Sequence, residues 1–119
     1  MRRERVAEQI LHELGDIVQN GIHDPRKGWV TVVRVEMSPD LCYARAFVSV
    51  YGDEEAKRAA LAVLERAARF VRGEIGRRVR LRQTPEITFL LDQSIEQGQR
   101  IQDILRETPI PPPEGEEQA

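Results

Sequence analysis

The sequence predicts an α+β fold in which helices cover one face of a three-stranded sheet. Apolar residues recur at steps of three and four over 4–18, over 54–79 and, along a narrower edge, over 95–106. That spacing buries one side of a helix. Three other stretches, 29–37, 42–51 and 86–92, are rich in β-branched, aromatic and apolar residues and alternate in character, as strands do. A chain of 119 residues, 40% hydrophobic and 32% charged, is long enough for one domain with one modest core. Three strands cannot close a barrel, so helices must cover one sheet face and leave the other to solvent or a partner.

In chain order, the first helix places Val6, Ile10, Leu14 and Ile17 on one face, widened by Ala7, Leu11 and Val18. Gly15 inside it costs roughly 1 kcal/mol relative to alanine. Asn20-Gly21 and Asp24-Pro25 stop the helix, because both pairs favour turns and a residue before proline leaves the helical region. In the strand over 29–37 the odd positions Trp29, Thr31, Val33, Val35 and Met37 form the more apolar set. The even set ends in Arg34 and Glu36 and is expected to face water. Ser38-Pro39-Asp40 turns the chain. The next strand sets Cys42, Ala44, Ala46, Val48 and Val50 toward the helices, with Tyr43, Arg45, Phe47, Ser49 and Tyr51 opposite. The short connection makes the pair an antiparallel hairpin.

Asp53 is a good cap for the long helix, and Glu54 and Glu55 suit the positive end of its dipole. Ala56, Ala60, Val63, Leu64, Ala67, Val71 and Ile75 give it a buried side. It runs to about Val79, with Gly73 and Gly76 marking a region over 69–77 where it could break. Thr84-Pro85 ends it. The third strand turns Ile87, Phe89 and Leu91 to one face, and Ser94 caps a last helix, Ile95 to Arg106. These elements assign 1–106 to one domain. Residues 107–119 are proline-rich and acidic and read as a disordered tail.

Charge is segregated along the chain. Arg66, Arg69, Arg72, Arg77, Arg78, Arg80 and Arg82 are answered by a single acid, Glu74, although the formal net charge is -2. Four acids and no base lie in 107–119, so the body is slightly basic. On one unbroken helix, Arg66, Arg69, Arg77 and Arg80 would fall within about 80° of one another. Such a stripe offers several phosphate contacts at once. The ordinary alternative is a solvated face, but solvated faces usually mix signs. Arg45, among the aromatic residues of the open sheet face, is a further candidate for RNA, since aromatic residues there could stack bases. Cross-strand shielding of the sheet explains the same residues. Gly73-Glu74-Ile75-Gly76 matches the G-x-x-G clamp of KH domains, but in a helical stretch, and is read as coincidental.

Signs of catalysis are missing. His12 and His23 have no partner at metal or triad spacing, and Cys42 is expected on a buried face, alone. There is no phosphate-binding glycine loop. Neither metal nor cofactor is expected. No apolar run is long enough to span a bilayer, and nothing at the N-terminus has signal-peptide character; the expected compartment is the cytoplasm.

Three stretches carry a resemblance. They are Arg5-Val6-Ala7-Glu8-Gln9-Ile10; then Asp24-Pro25-Arg26 with Val30-Thr31-Val32, Val35, Ser38, Asp40-Leu41 and Tyr43-Ala44; then Leu81-Arg82, Pro85-Glu86-Ile87-Thr88-Phe89, Asp92, Ser94-Ile95 and Gly98. In that order, across about residues 2–106, the chain resembles the ribosome-binding factor A family. The resemblance implies a type II KH-like fold, α-β-β-α-α-β with a further C-terminal helix. It also implies a monomer that binds the free 30S small subunit near its neck and assists late maturation of its ribosomal RNA, with prominence in cold adaptation and no catalysed reaction. A generic KH-type RNA binder and a protein-interaction module without RNA affinity are the alternatives. The family usually has an Ala-x-Gly kink between two helices. Here Ala67-Ala68-Arg69 stands at that place, so the kink either survives without glycine or is shallower. A kink would also rotate Arg77 and Arg80 away from the stripe.

Overall fold

The computed structural model describes residues 2–93. Its elements are α1 (Arg2–Asp16), a wide helical turn over Ile17–Gly21, a 3-10 turn over Pro25–Lys27, β1 (Val30–Met37), β2 (Tyr43–Val50), α2 (Glu54–Arg66), α3 (Ala68–Arg78) and β3 (Glu86–Leu91). This is the α-β-β-α-α-β order expected of a type II KH-like fold. The sheet order is β1-β2-β3. β1 runs antiparallel to β2, and β3 parallel to it. A parallel neighbour requires a crossover connection, which α2 and α3 supply. The expected helix 95–106 and the tail lie outside the described residues.

All three helices pack on one face. Val6, Ile10, Leu14, Val63, Leu64, Val71 and Ile75 join Val30, Val35, Ala44, Ala46, Val48, Ile87 and Phe89 in one core. Small residues on β2 let the helices approach the sheet closely, while larger side chains come from the helices. No side-chain nitrogen or oxygen is left buried without a partner among the described residues.

The alternation predicted for β1 is correct only in its second half. Val30 pairs with Val50, Thr31 with Ser49 and Val32 with Val48, but Arg34 then pairs with Phe47. Val33 is the extra residue of a β-bulge, which shifts a period-two pattern by one. Before it, the even residues Val30 and Val32 face the core, while Trp29 is 79% exposed and Val33 40%. After it, the odd residues Val35 and Met37 are buried.

Asp53 caps α2 by accepting from the Ala56 amide at 2.8 Å. A capping interaction of this kind contributes about 1 kcal/mol. Gly52 precedes it with φ 132°, and a Cβ there would meet that of Ala56 at 2.7 Å. Only glycine suits both conditions. At the wide turn after α1, Lys27 Nζ donates to the carbonyls of Val18 and Ile22, satisfying acceptors that the helix end leaves open.

Candidate nucleic-acid interface

The arginine-rich segment is two helices. α2 ends at Arg66 and α3 begins at Ala68, with Ala67 between them at φ −87°, ψ 0°. The Ala67 amide is shared between the carbonyls of Val63 at 3.0 Å and Leu64 at 3.1 Å, and Val71 N–H still reaches Ala67 O at 2.9 Å. The ladder therefore tightens without being lost. Because φ stays negative, alanine adopts this geometry without strain, and no glycine is required. The chain does not break again at Gly73 or Gly76, both inside α3. Gly76 serves packing: a Cβ there would lie 2.9 Å from Thr84 Oγ1.

The straight stripe of Arg66, Arg69, Arg77 and Arg80 is not formed. The break at Ala67 turns Arg66 out of line with α3. Arg80 lies beyond the end of α3, where Val79 is already extended at φ −120°, ψ 124°. Cys42, expected on a buried face, is half-buried beside the hairpin turn.

The eight candidate arginines separate by what they touch. Arg78 is fastened to α1 and α3 through Glu13, Asp16 and Glu74 at 3.3, 2.7 and 3.3 Å. Arg72 donates to the Thr84 carbonyl at 2.9 Å. Arg77 pairs with Glu74, and Arg45 with Glu36 at 3.0 Å. Arg66 comes to 3.9 Å from Asp24. Arg69, Arg80 and Arg82 are exposed, and their side chains make no hydrogen bond or ion pair among the described residues. Those three are the guanidinium groups available to phosphate at no cost to the fold.

Arg26 lies beside the α2–α3 break, where the charge pattern over 66–82 does not reach, but unlike those three it is ion-paired. Its Nη2 donates to Asp24 Oδ2 at 2.8 Å and its Nε to Oδ1 at 3.1 Å. Those side-chain hydrogen bonds, aided by the Arg26 amide, pull the Asp24 carboxyl down to about 2. Asp24 thereby holds Arg26 and Arg66 on the same side of the break. The Asp-Pro-Arg tripeptide is the sequence signal for this arrangement, since an aspartate before a proline-led turn caps the amide two residues on.

On the open sheet face, the Arg34 guanidinium sits 3.9 Å over the Phe47 ring. It also bonds Asp92 at 2.9 Å and Glu36 at 3.4 Å. Arg45 joins this network through Glu36, so the middle of the face is charge-compensated and less open to bases than Tyr43 and Tyr51 at its margins. No group of three or more histidine, cysteine, aspartate or glutamate side chains converges as a metal site among the described residues.

A three-stranded mixed sheet covered on one face by three helices, two of them meeting at a break, defines an α+β domain of KH-like order. Within it, the family model described as Ribosome-binding factor A matches residues 2–105, and the chain belongs to that family. It is 49% identical to ribosome-binding factor A of Brevibacillus brevis, over 98% of this chain and 94% of that relative. The crystal structure of ribosome-binding factor A from Thermus thermophilus superposes with a TM-score of 0.70 at 29% identity, covering 77% of this chain and 97% of that one. A homology model of Thermus thermophilus ribosome binding factor A, as fitted into a cryo-electron microscopy map of a 30S complex with that factor, superposes with a TM-score of 0.65 at 31% identity. That match covers 76% of this chain and 96% of the other.

Proposed function

We propose that this protein binds the free 30S small subunit and assists late maturation of its ribosomal RNA, acting by shape and charge with no reaction catalysed. The observation that carries the reading is family membership over residues 2–105, joined to the 30S complex in which the Thermus relative was fitted. The compartment is the cytoplasm, where subunits assemble. Residues 1–106 are the binding domain, and 107–119 an acidic tail that favours solubility.

Within the domain, Arg69, Arg80 and Arg82 are assigned the phosphate contacts, with Arg66 and Arg26 flanking the break. Each contact displaces counterions from RNA, so affinity falls as salt rises, and each contact removed lowers that slope. Arg72, Arg77, Arg78 and Arg45 contribute to the field around the domain but already have protein partners.

Co-sedimentation tests this. The protein should travel with free 30S subunits and stay off translating ribosomes. The triple change Arg69→Glu, Arg80→Glu and Arg82→Glu should release it at moderate salt while leaving its circular dichroism unchanged. Equal binding to short single-stranded RNA and to subunits would replace this reading with that of a generic RNA binder.

A further inference from the structure

Phe70 lies on the solvent side of α3, among arginines. At 100° per residue, Arg69, Phe70, Gly73 and Arg77 fall within about 100° of one another, opposite the buried Val71 and Ile75. Phe70 is 46% exposed. One edge of its ring rests on the turn after α1, where a Cβ on Gly21 would lie 3.4 Å from Phe70 Cε2 and 3.6 Å from Cζ. The rest of the ring meets water.

One turn further on, Gly73 sits inside α3, and a Cβ there would meet nothing within 4 Å. Glycine is the poorest helix former after proline. Neither a positive φ nor a close packing contact calls for it at this position, whereas Gly76 is needed against Thr84. A bare glycine beside an exposed ring leaves a flat apolar shelf along one turn of helix, open to close approach by a ligand.

The charge around the shelf is positive. Arg69, beside Phe70, makes no hydrogen bond or ion pair among the described residues. Arg77, one turn beyond Gly73, keeps 68% of its side chain exposed. Its partner Glu74 is 20% exposed and shared with Arg78. Asp16, at the entry to the turn that supports the ring, is held by Arg78 as well. Glu65 belongs to α2, on the other side of the break.

We infer that Phe70 and Gly73 form a stacking shelf for one unpaired nucleobase of the bound RNA, with Arg69 and Arg77 on the flanking phosphates. The inference rests on the 30S reading above and adds to it a contact with a base. A nucleotide joins a flat apolar face to an anionic group, the complement of a ring between guanidinium groups. Every base has such a face, so stacking is sequence-tolerant, and the shelf grips a strand without reading it.

Trp29 is the only tryptophan and is exposed, so Trp29→Phe combined with Phe70→Trp moves the fluorescent reporter to the shelf. This full-length protein is titrated with oligoadenylate, oligouridylate and an abasic ribose-phosphate oligomer of the same length. Quenching is expected with oligoadenylate at lower concentration than with oligouridylate, and none with the abasic oligomer. In co-sedimentation with 30S subunits, Phe70→Ala should weaken binding about fivefold or more, with the salt slope unchanged because no charge is lost. Gly73→Leu should also weaken binding, while its melting temperature stays at or above that of the parent. Parent affinity in both variants, with the Arg69→Glu, Arg80→Glu and Arg82→Glu variant released, overturns the shelf and leaves the 30S reading standing. A parent protein that fails to travel with subunits overturns both. Equal quenching by the abasic oligomer overturns the shelf, because phosphate alone then explains the signal. A reporter shielded from acrylamide before RNA is added overturns it too, placing residues 94–119 on the shelf instead.

Discussion

Arg78 Nη1 lies 2.7 Å from Asp16 Oδ2, tying the end of α3 to the last residue of α1. The same guanidinium reaches Glu13 and Glu74. The hydrogen bond from Arg78 is the main reason that the Asp16 carboxyl sits below the ordinary carboxylate range. Three carboxylates around one cation compensate it locally, and little of its field remains for a ligand. Arg78 belongs to the fold, even though it stands in the most basic stretch of the chain.

Arg78→Gln should therefore lower the melting temperature by a few degrees while leaving 30S binding of the folded protein unchanged. Arg80→Gln should do the reverse. Thermal denaturation and co-sedimentation on the two variants separate these effects. Lost binding in Arg78→Gln at full stability would remove the division between clamping and contacting arginines.

The bulge in β1 makes a sharper structural prediction. Deleting Val33 would force one continuous alternation on the strand. Either Val30 and Val32 or Val35 and Met37 would then turn to solvent, because a one-residue slip moves every side chain beyond it to the opposite face. Two buried residues lost from the core amount to several kcal/mol, a large fraction of the stability of a domain this size. The deleted protein should lack a cooperative thermal transition, whereas Val33→Thr, which keeps the residue count, should melt close to the parent protein.

What was legible in the sequence follows from which forces act locally. Element order, the covered face of β2 and the division between core and solvent on the helices rest on hydrophobic spacing, which neighbouring residues supply. The phase of β1 was misread because a bulge is set by pairing with β2, and nothing in the order Val32-Val33-Arg34 announces it. The arginine segment was visible as charge, but not as roles. The partner of Arg78, Asp16 on α1, is 62 residues away in sequence, and that of Arg45, Glu36, is on the neighbouring strand. The pairing that places Arg26 near Arg66 was hidden for the same reason. It depends on Asp24 packing next to the helix break. Trp29 read as a core residue of β1, and only the bulge explains its exposure.

Acid should act early on the turn that carries Arg26. Asp24 has its folded-state value depressed to about 2, chiefly by the side-chain hydrogen bonds from Arg26. A depressed carboxylate stabilises the fold above its unfolded value of about 3.9, and that contribution is lost as pH falls toward the folded value. Asp16 and Glu74 are shifted the same way by Arg78 and Arg77 respectively. Stability should thus decline between about pH 4 and pH 2, and Asp24→Asn should make the decline shallower. Carboxyl carbon NMR shifts through an acid titration measure this. An ordinary Asp24 titration near pH 4 would show that Arg26 is not held there in solution.

The last prediction concerns the position where the family carries glycine. Arg69 sits two residues after the break, and the Ala67 geometry already accommodates the bend with a negative φ. Restoring glycine by Arg69→Gly should therefore not sharpen the bend. Its effect on stability should be the helix-interior penalty of glycine, about 1 kcal/mol, tempered by proximity to the helix start. Its effect on binding should be larger, because the change removes a guanidinium that makes no hydrogen bond or ion pair among the described residues. Affinity for 30S subunits should fall, and the slope of log affinity against log salt should lose about one contact. Arg69→Lys, which keeps the charge, should restore the slope with weaker affinity. If Arg69→Gly bound as tightly as the parent at every salt concentration, Arg69 would be a solvated helix residue, and the phosphate contacts would rest on Arg80 and Arg82.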